Sequence, residues 1–166
     1  MIVCMDTAVL IWGVQGVASP GTEAMPSKTR AFLESLAGQC DILIPTPVLT
    51  EFLQKFPKPE QQQYLRDISK IDGIFFHPFD LEASLVAAEL QAGRRLRELR
   101  RELHADRVCV KTDLMILAIA VVVAADKLIT PDVDDYHKLA SSSDYRFPEI
   151  SNVPDAVSQP NFFDTD

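Results

Sequence analysis

Short apolar runs alternate with longer stretches of helical periodicity along most of this chain, and that alternation limits the folds open to it. Strand signals fall at Met1–Met5, Asp41–Ile44, Gly73–His77, Lys127–Thr130 and Tyr145–Ile150. Between them the apolar residues recur at helical spacing, as with Phe32, Leu33 and Leu36 or Tyr64, Leu65 and Ile68. Strands that alternate with helices pair in parallel, because each crossover must carry the chain back along the sheet. The expectation is an α/β domain with a central, mostly parallel sheet of about five strands flanked by helices.

The punctuation agrees with this reading. A brief helix is expected from Asp6-Thr7 through Trp12, then a loop over residues 13–26, which hold three glycines and two prolines. Ser27–Gly38 reads as a helix with glycine as its stop. Pro47 and Pro59 are placed for the first turns of two further helices, where a missing N–H costs nothing. A long helical region from about Asp80 to His104 is expected to bend near Gly93. Thr112 reads as the N-cap of the apolar segment Leu114–Ala125, and Val133–Leu139 as a short helix. Residues 1–150 form the expected domain, and residues 151–166, with two prolines and no periodic pattern, a mobile tail.

Against this frame, acidic residues stand where strands end or helices begin. Asp6 closes the first apolar run, Glu51 lies in the helical stretch Pro47–Phe56, and Asp113 heads the apolar helix. Asp132, Asp134 and Asp135 follow Leu128-Ile129-Thr130. Singly, each has an ordinary explanation. Asp6 suits an N-cap, Glu51 a surface position beside an apolar stripe, and Asp113 a helix dipole contact of only ~0.3–1 kcal/mol. Together, in a parallel sheet, strand ends and neighbouring helices gather them at one edge. Clustered carboxylates repel one another unless a cation lies among them, and hard divalent ions favour such all-oxygen surroundings.

Composition narrows the remaining classes. The chain of 166 residues is 47% hydrophobic, enough to bury a substantial core. Three cysteines, Cys4, Cys40 and Cys109, lack the spacing of a zinc site and read as reduced thiols of a cytoplasmic protein. The longest uncharged apolar run, Leu114–Ala125, is well short of the ~20 residues a membrane span requires, so no membrane partner is expected. A net charge of −8 argues against nucleic-acid binding over the whole surface. Seven of the 16 basic residues nevertheless lie between Arg94 and Lys111, namely Arg94, Arg95, Arg97, Arg100, Arg101, Arg107 and Lys111. Such a ridge can hold a polyanion by its backbone, or it can be a solvated helix face paired with Glu98 and Glu102.

Four blocks in a fixed order carry a resemblance. IVCMDTAVLIW, LIPTPVLTEFL, KTDLMILAIAV and LITPDVDDYHKL resemble the motifs of PIN-domain ribonucleases, especially the VapC-type toxins of type II toxin–antitoxin pairs, over about residues 2–150. The resemblance implies a PIN-like three-layer α/β/α fold and a Mg²⁺- or Mn²⁺-dependent endoribonuclease. Asp6, Glu51, Asp113 and Asp132 take the positions of the acidic quartet. Asp6, Asp113 and Asp132 would hold the metal with Asp135 as a further ligand, and Thr7 and Thr130 would support them. RNA would lie along Arg94, Arg95, Arg97, Arg101 and Lys111. A cognate antitoxin and a homodimer are the partners the family implies. The chain departs from the pattern in the long 13–26 segment, the tail, and the three aspartates of its fourth block.

Rival readings are a catalytically inactive PIN-like interaction module, a receiver-like phosphorylation domain and a structure-specific DNA nuclease. All four acidic positions are filled, which speaks against a disused site. A receiver fold wants an acidic pair after its first strand, where Asp6 stands alone. A structure-specific nuclease would carry more acidic residues and additional helices.

Overall fold

The central strands of the sheet are short and mostly apolar, as strands covered on both faces must be. In the computed structural model, which describes residues 1–92, 107–140 and 144–155, the strands are β1 (Ile2–Met5), β2 (Asp41–Pro45), β3 (Ile74–His77), β4 (Lys127–Ile129) and β5 (Glu149–Ser151). They form one sheet in the order β3-β2-β1-β4-β5, with every pairing parallel. Val3 registers with Ile42 on one side of β1 and with Lys127 on the other. The helices are α1 (Thr7–Leu10), α2 (Met25–Leu36), α3 (Thr46–Leu53), α4 (Lys58–Ile68), α5 (Leu81–Ala92), α6 (Arg107–Val122) and α7 (Val133–Ala140).

Alternation along β1 divides the core in two. Cys4 faces a layer built from Phe52 of α3, Ile68 of α4, Leu90 of α5, Ile116 and Leu117 of α6, and Tyr136 of α7. Val3 and Met5 face the opposite way, onto Phe32, Leu33 and Leu36 of α2. The result is the expected α/β/α sandwich. Fully burying a side chain such as Phe52 contributes roughly 1.5–3 kcal/mol relative to exposure, so both layers hold the sheet in place.

The connectivity positions the site. From β1 the chain steps outward to β2 and β3, then crosses back through α5 and α6 to β4 on the other flank of β1. The strand order therefore reverses between β1 and β4. At such a switch point the loops leaving the two strands diverge and open a crevice at their carboxyl ends.

Three expectations are corrected. Residues 13–26 are not one loop: α1 runs on as a π-helical turn, Ile11–Gln15, and α2 begins at Met25. Gly13 is buried in that turn because α2 packs against it, a Cβ there coming within 2.6 Å of Leu33 Cδ1. Gly16 closes the turn at φ 75°, a conformation that suits glycine. Thr112 does not cap a helix, since α6 already begins at Arg107, and Asp113 stands in the helix interior, away from the dipole's positive end. The fifth strand is Glu149–Ser151 rather than 145–150, because Tyr145 and Phe147 pack edge to face beside the core. Beyond β5, Val153 is buried at 2% exposure and Asp155 pairs with Lys28 at 2.6 Å, so packing continues past residue 150. The bend at Gly93, the helical reading of 93–104 and most of the expected tail lie outside the described residues.

Candidate metal and active site

Asp6 stands where β1 ends, at the strand-order reversal. Its backbone N–H continues the β1–β4 ladder by donating to the Ile129 carbonyl at 3.1 Å, and its carbonyl accepts from the Val9 N–H to open α1. The carboxylate is 6% exposed. One oxygen accepts from the Thr7 N–H at 2.6 Å, and the other accepts from the Thr130 hydroxyl, also at 2.6 Å. The cap and site readings of Asp6 are therefore compatible, one oxygen serving each. Thr130, wholly buried at the end of β4, also accepts from the Asp132 N–H at 3.1 Å and so ties the ends of β1 and β4 together.

Glu51 reaches this edge from α3. Pro47 in that helix's first turn starts it directly after β2, and Val48 and Phe52 anchor its inner face, leaving Glu51 on the flank. There its Oε2 accepts from the Thr7 hydroxyl at 2.6 Å. Thr7 thus links α1 to α3 with its side chain and holds Asp6 with its N–H. Asp113 comes from α6, where Leu114, Ile116 and Leu117 bury the helix against the sheet. Among the described residues no hydrogen bond supports its carboxylate.

These carboxylates lie within reach of one another's charge. Asp113 is pushed from the ordinary 3.8 up to about 7, first by burial and then by the charges of Asp6, Asp132, Glu51 and Asp135. Asp6 is raised to about 6, mainly by burial and further by Asp132 and Glu51, against the lowering effect of its bonds to Thr130 and Thr7. Asp132 is raised by its own burial and by Asp135. Carboxylates from four separate segments of the chain therefore act on one another at one edge of the sheet.

The acids that follow β4 lie nearer solvent, Asp132 and Asp134 exposed and Asp135 half-buried. Asp132, Asp134 and Asp135 line an open cavity of about 310 Å³ with Pro131 and Val133. Asp135 pairs with Lys138 at 2.9 Å across one turn of α7. Lys111 is exposed on α6 and lines a groove with Phe79, Ser84 and Leu114. Arg94, Arg95, Arg97 and Arg101 lie outside the described residues.

The donor chemistry suits a hard cation, since every contributing side chain offers oxygen and the groups as they stand repel one another. Among the described residues no three His, Cys, Asp or Glu side chains stand close enough together to hold a metal ion as they are. The fit accordingly rests on donor type and mutual influence.

One participant escaped the sequence reading except as an aromatic position. Tyr136 on α7 is 0% exposed, and its hydroxyl has no hydrogen-bond partner among the described residues. Burial and then the charges of Asp6, Asp113, Cys4 and Asp132 hold its proton on strongly. Its spacing of four from Asp132, one turn along a helix, was the available signal.

No protein-family model matches the chain, and no curated protein matches its sequence. Solved structures do match its fold. A chain of the VapBC2 complex from Rickettsia felis, bound to a DNA fragment from its promoter, aligns with a TM-score of 0.60 at 18% identity, covering 93% of this chain and 100% of that one. A chain of a toxin–antitoxin complex from Klebsiella pneumoniae aligns with a TM-score of 0.52 at 19% identity, covering 81% of this chain and 89% of that one. At these identities the likeness is one of fold. The protein has the PIN-like α/β fold found in VapBC toxin–antitoxin complexes.

Proposed function

We propose that the protein is a Mg²⁺- or Mn²⁺-dependent endoribonuclease and the toxin member of a toxin–antitoxin pair. The observation that carries this reading is the mutual influence of Asp6, Glu51, Asp113 and Asp132 at the strand-order reversal. The likeness in fold to chains of toxin–antitoxin complexes supports it.

In this reading Asp6, Asp113 and Asp132, with Asp135 as a further ligand, would hold the cation, and Glu51 would complete the acidic quartet. The bound ion supplies Lewis-acid polarisation of a phosphodiester and makes a water molecule more acidic. The protein's own part is orientation. Thr130 and the Thr7 N–H fix both oxygens of Asp6, and the Thr7 hydroxyl fixes Glu51, so neither carboxylate must be ordered as the substrate arrives. The burial that raises Asp6 and Asp113 also keeps water from screening their attraction for a cation. Lys111, with Arg94, Arg95, Arg97 and Arg101, would hold the RNA backbone.

A cognate antitoxin would cover this edge, and an arginine from it would satisfy the carboxylates by paired hydrogen bonds. Leu81 and Leu85, 76% and 60% exposed and one turn apart on α5, are apolar surface that a homodimer would cover.

The test is cleavage of a mixed pool of structured RNA by purified protein in Mg²⁺, Mn²⁺ or EDTA, beside Asp113→Asn. The expected result is cutting that requires the metal and disappears in the variant. Folded, antitoxin-free protein that cuts nothing under either metal would favour the interaction-module reading instead.

A further inference from the structure

Tyr136 is an expensive residue to place where it lies. A buried hydroxyl without a partner forfeits its hydrogen bonds to water, at ~1–3 kcal/mol, and phenylalanine would fill the same space without that loss. The ring lies in the core layer that holds Cys4 and the inner face of α6. Asp6 is two residues on from Cys4 and still in the ladder, so it leaves the sheet on this same face. Tyr136 also begins its helix turn from the site itself, its N–H donating to the Asp132 carbonyl at 3.1 Å.

The carboxylates around it differ in what they lack. Asp6 has both oxygens engaged by Thr7 and Thr130, and Glu51 accepts from Thr7. Asp113 has no hydrogen-bond donor among the described residues. Among the described residues, a donor without an acceptor and an acceptor without a donor thus belong to α7 and α6, two helices that pack on each other.

We infer that Tyr136 is a positioning residue whose hydroxyl donates a hydrogen bond to the Asp113 carboxylate when a divalent cation is bound, holding that carboxylate toward the ion. This inference rests on the metal-site reading above and assigns it a supporting residue from the core. Thr7 and Thr130 then serve Glu51 and Asp6 as Tyr136 serves Asp113, so that these three acids each have a hydroxyl of their own.

The test measures Mn²⁺ affinity by calorimetry for the full chain, Tyr136→Phe, Asp113→Asn and the double variant, with metal-free melting temperature as a control for folding. Tyr136→Phe removes one oxygen and no packing volume, so its metal-free melting temperature should equal or exceed that of the parent. Its Mn²⁺ affinity should fall ~10-fold, within the span seen when the outer partner of a metal ligand is lost. In nuclease assays the Mn²⁺ concentration for half-activation should rise similarly while the saturated rate is largely kept. In the Asp113→Asn background, removal of the hydroxyl should bring little further loss, because the two changes break one unit. Unchanged Mn²⁺ affinity in Tyr136→Phe, with the parent binding normally, would overturn the inference and leave the metal site standing. A parent chain that binds no Mn²⁺ would overturn both.

Discussion

Removing a carboxylate from the crevice should make the metal-free protein more stable, and Asp113 is the position where this is most pronounced. Burial and four neighbouring acids lift its pKa from 3.8 to about 7. The folded state therefore binds this proton more tightly than the unfolded chain does. The associated stability is fully present below pH 3.8 and is lost as pH rises to about 7. At ~1.4 kcal/mol per pH unit the full difference corresponds to ~4 kcal/mol, and solvent reaching the partly exposed side chain reduces it to roughly 2 kcal/mol. Asparagine keeps the shape and carries no charge. In EDTA at pH 8, Asp113→Asn should melt ~4–8 °C above the parent by calorimetry, for a domain of this size. At pH 5 the gap should shrink to about a third, since Asp113 in the folded parent is then protonated. Saturating Mg²⁺ should reverse the order, because only the parent gains binding energy. An Asn variant that melts at or below the parent at pH 8 without metal would refute the self-repelling cluster.

Further consequences can be checked separately. Mg²⁺ should raise the parent's melting temperature more at pH 8 than at pH 5.5, because Asp6 and Asp113, near 6 and 7, must lose their protons to bind it; equal shifts at both values would argue against these ligands. Thr130→Val retains the side chain's shape but strips the donor from Asp6 and the acceptor from the Asp132 N–H. It should cost ~1–3 kcal/mol in denaturant unfolding and weaken Mn²⁺ binding in calorimetry. Ala124, exposed at the end of α6, holds φ 54°. Ala124→Gly should relieve ~1–2 kcal/mol of left-handed strain against a smaller gain in unfolded-chain freedom, for a net stabilisation of ~0.5–1 kcal/mol in the same unfolding measurement.

What was legible in the sequence follows from how local each signal is. The first four strands are apolar runs bounded by Asp, Gly or Pro, and the sheet confines them within a residue or so of the expected bounds. The acidic blocks were legible because each lies beside a strand end or an anchored helix, as Asp6 follows β1 and Asp132 follows β4. Thr112-Asp113 misled because Thr before Asp resembles a cap, whereas the helix starts at Arg107 and Val110 is already buried at 4% exposure. The π-helical turn was hidden by its glycine, which serves close packing against Leu33 rather than a loop. Tyr136 was hidden for another reason. Its significance lies in the lack of a partner among the described residues, and only the tertiary placement of α6, α7 and β1 brings it within the charge of Asp6 and Asp113.

The most direct test of the central claim is anomalous diffraction from a crystal of this protein soaked in Mn²⁺. The expected result is a manganese peak at the carboxyl ends of β1 and β4, with oxygens of Asp6, Asp113 and Asp132 at coordination distance, ~2.1–2.2 Å. Manganese that binds only elsewhere, with these three carboxylates left apart, would contradict it.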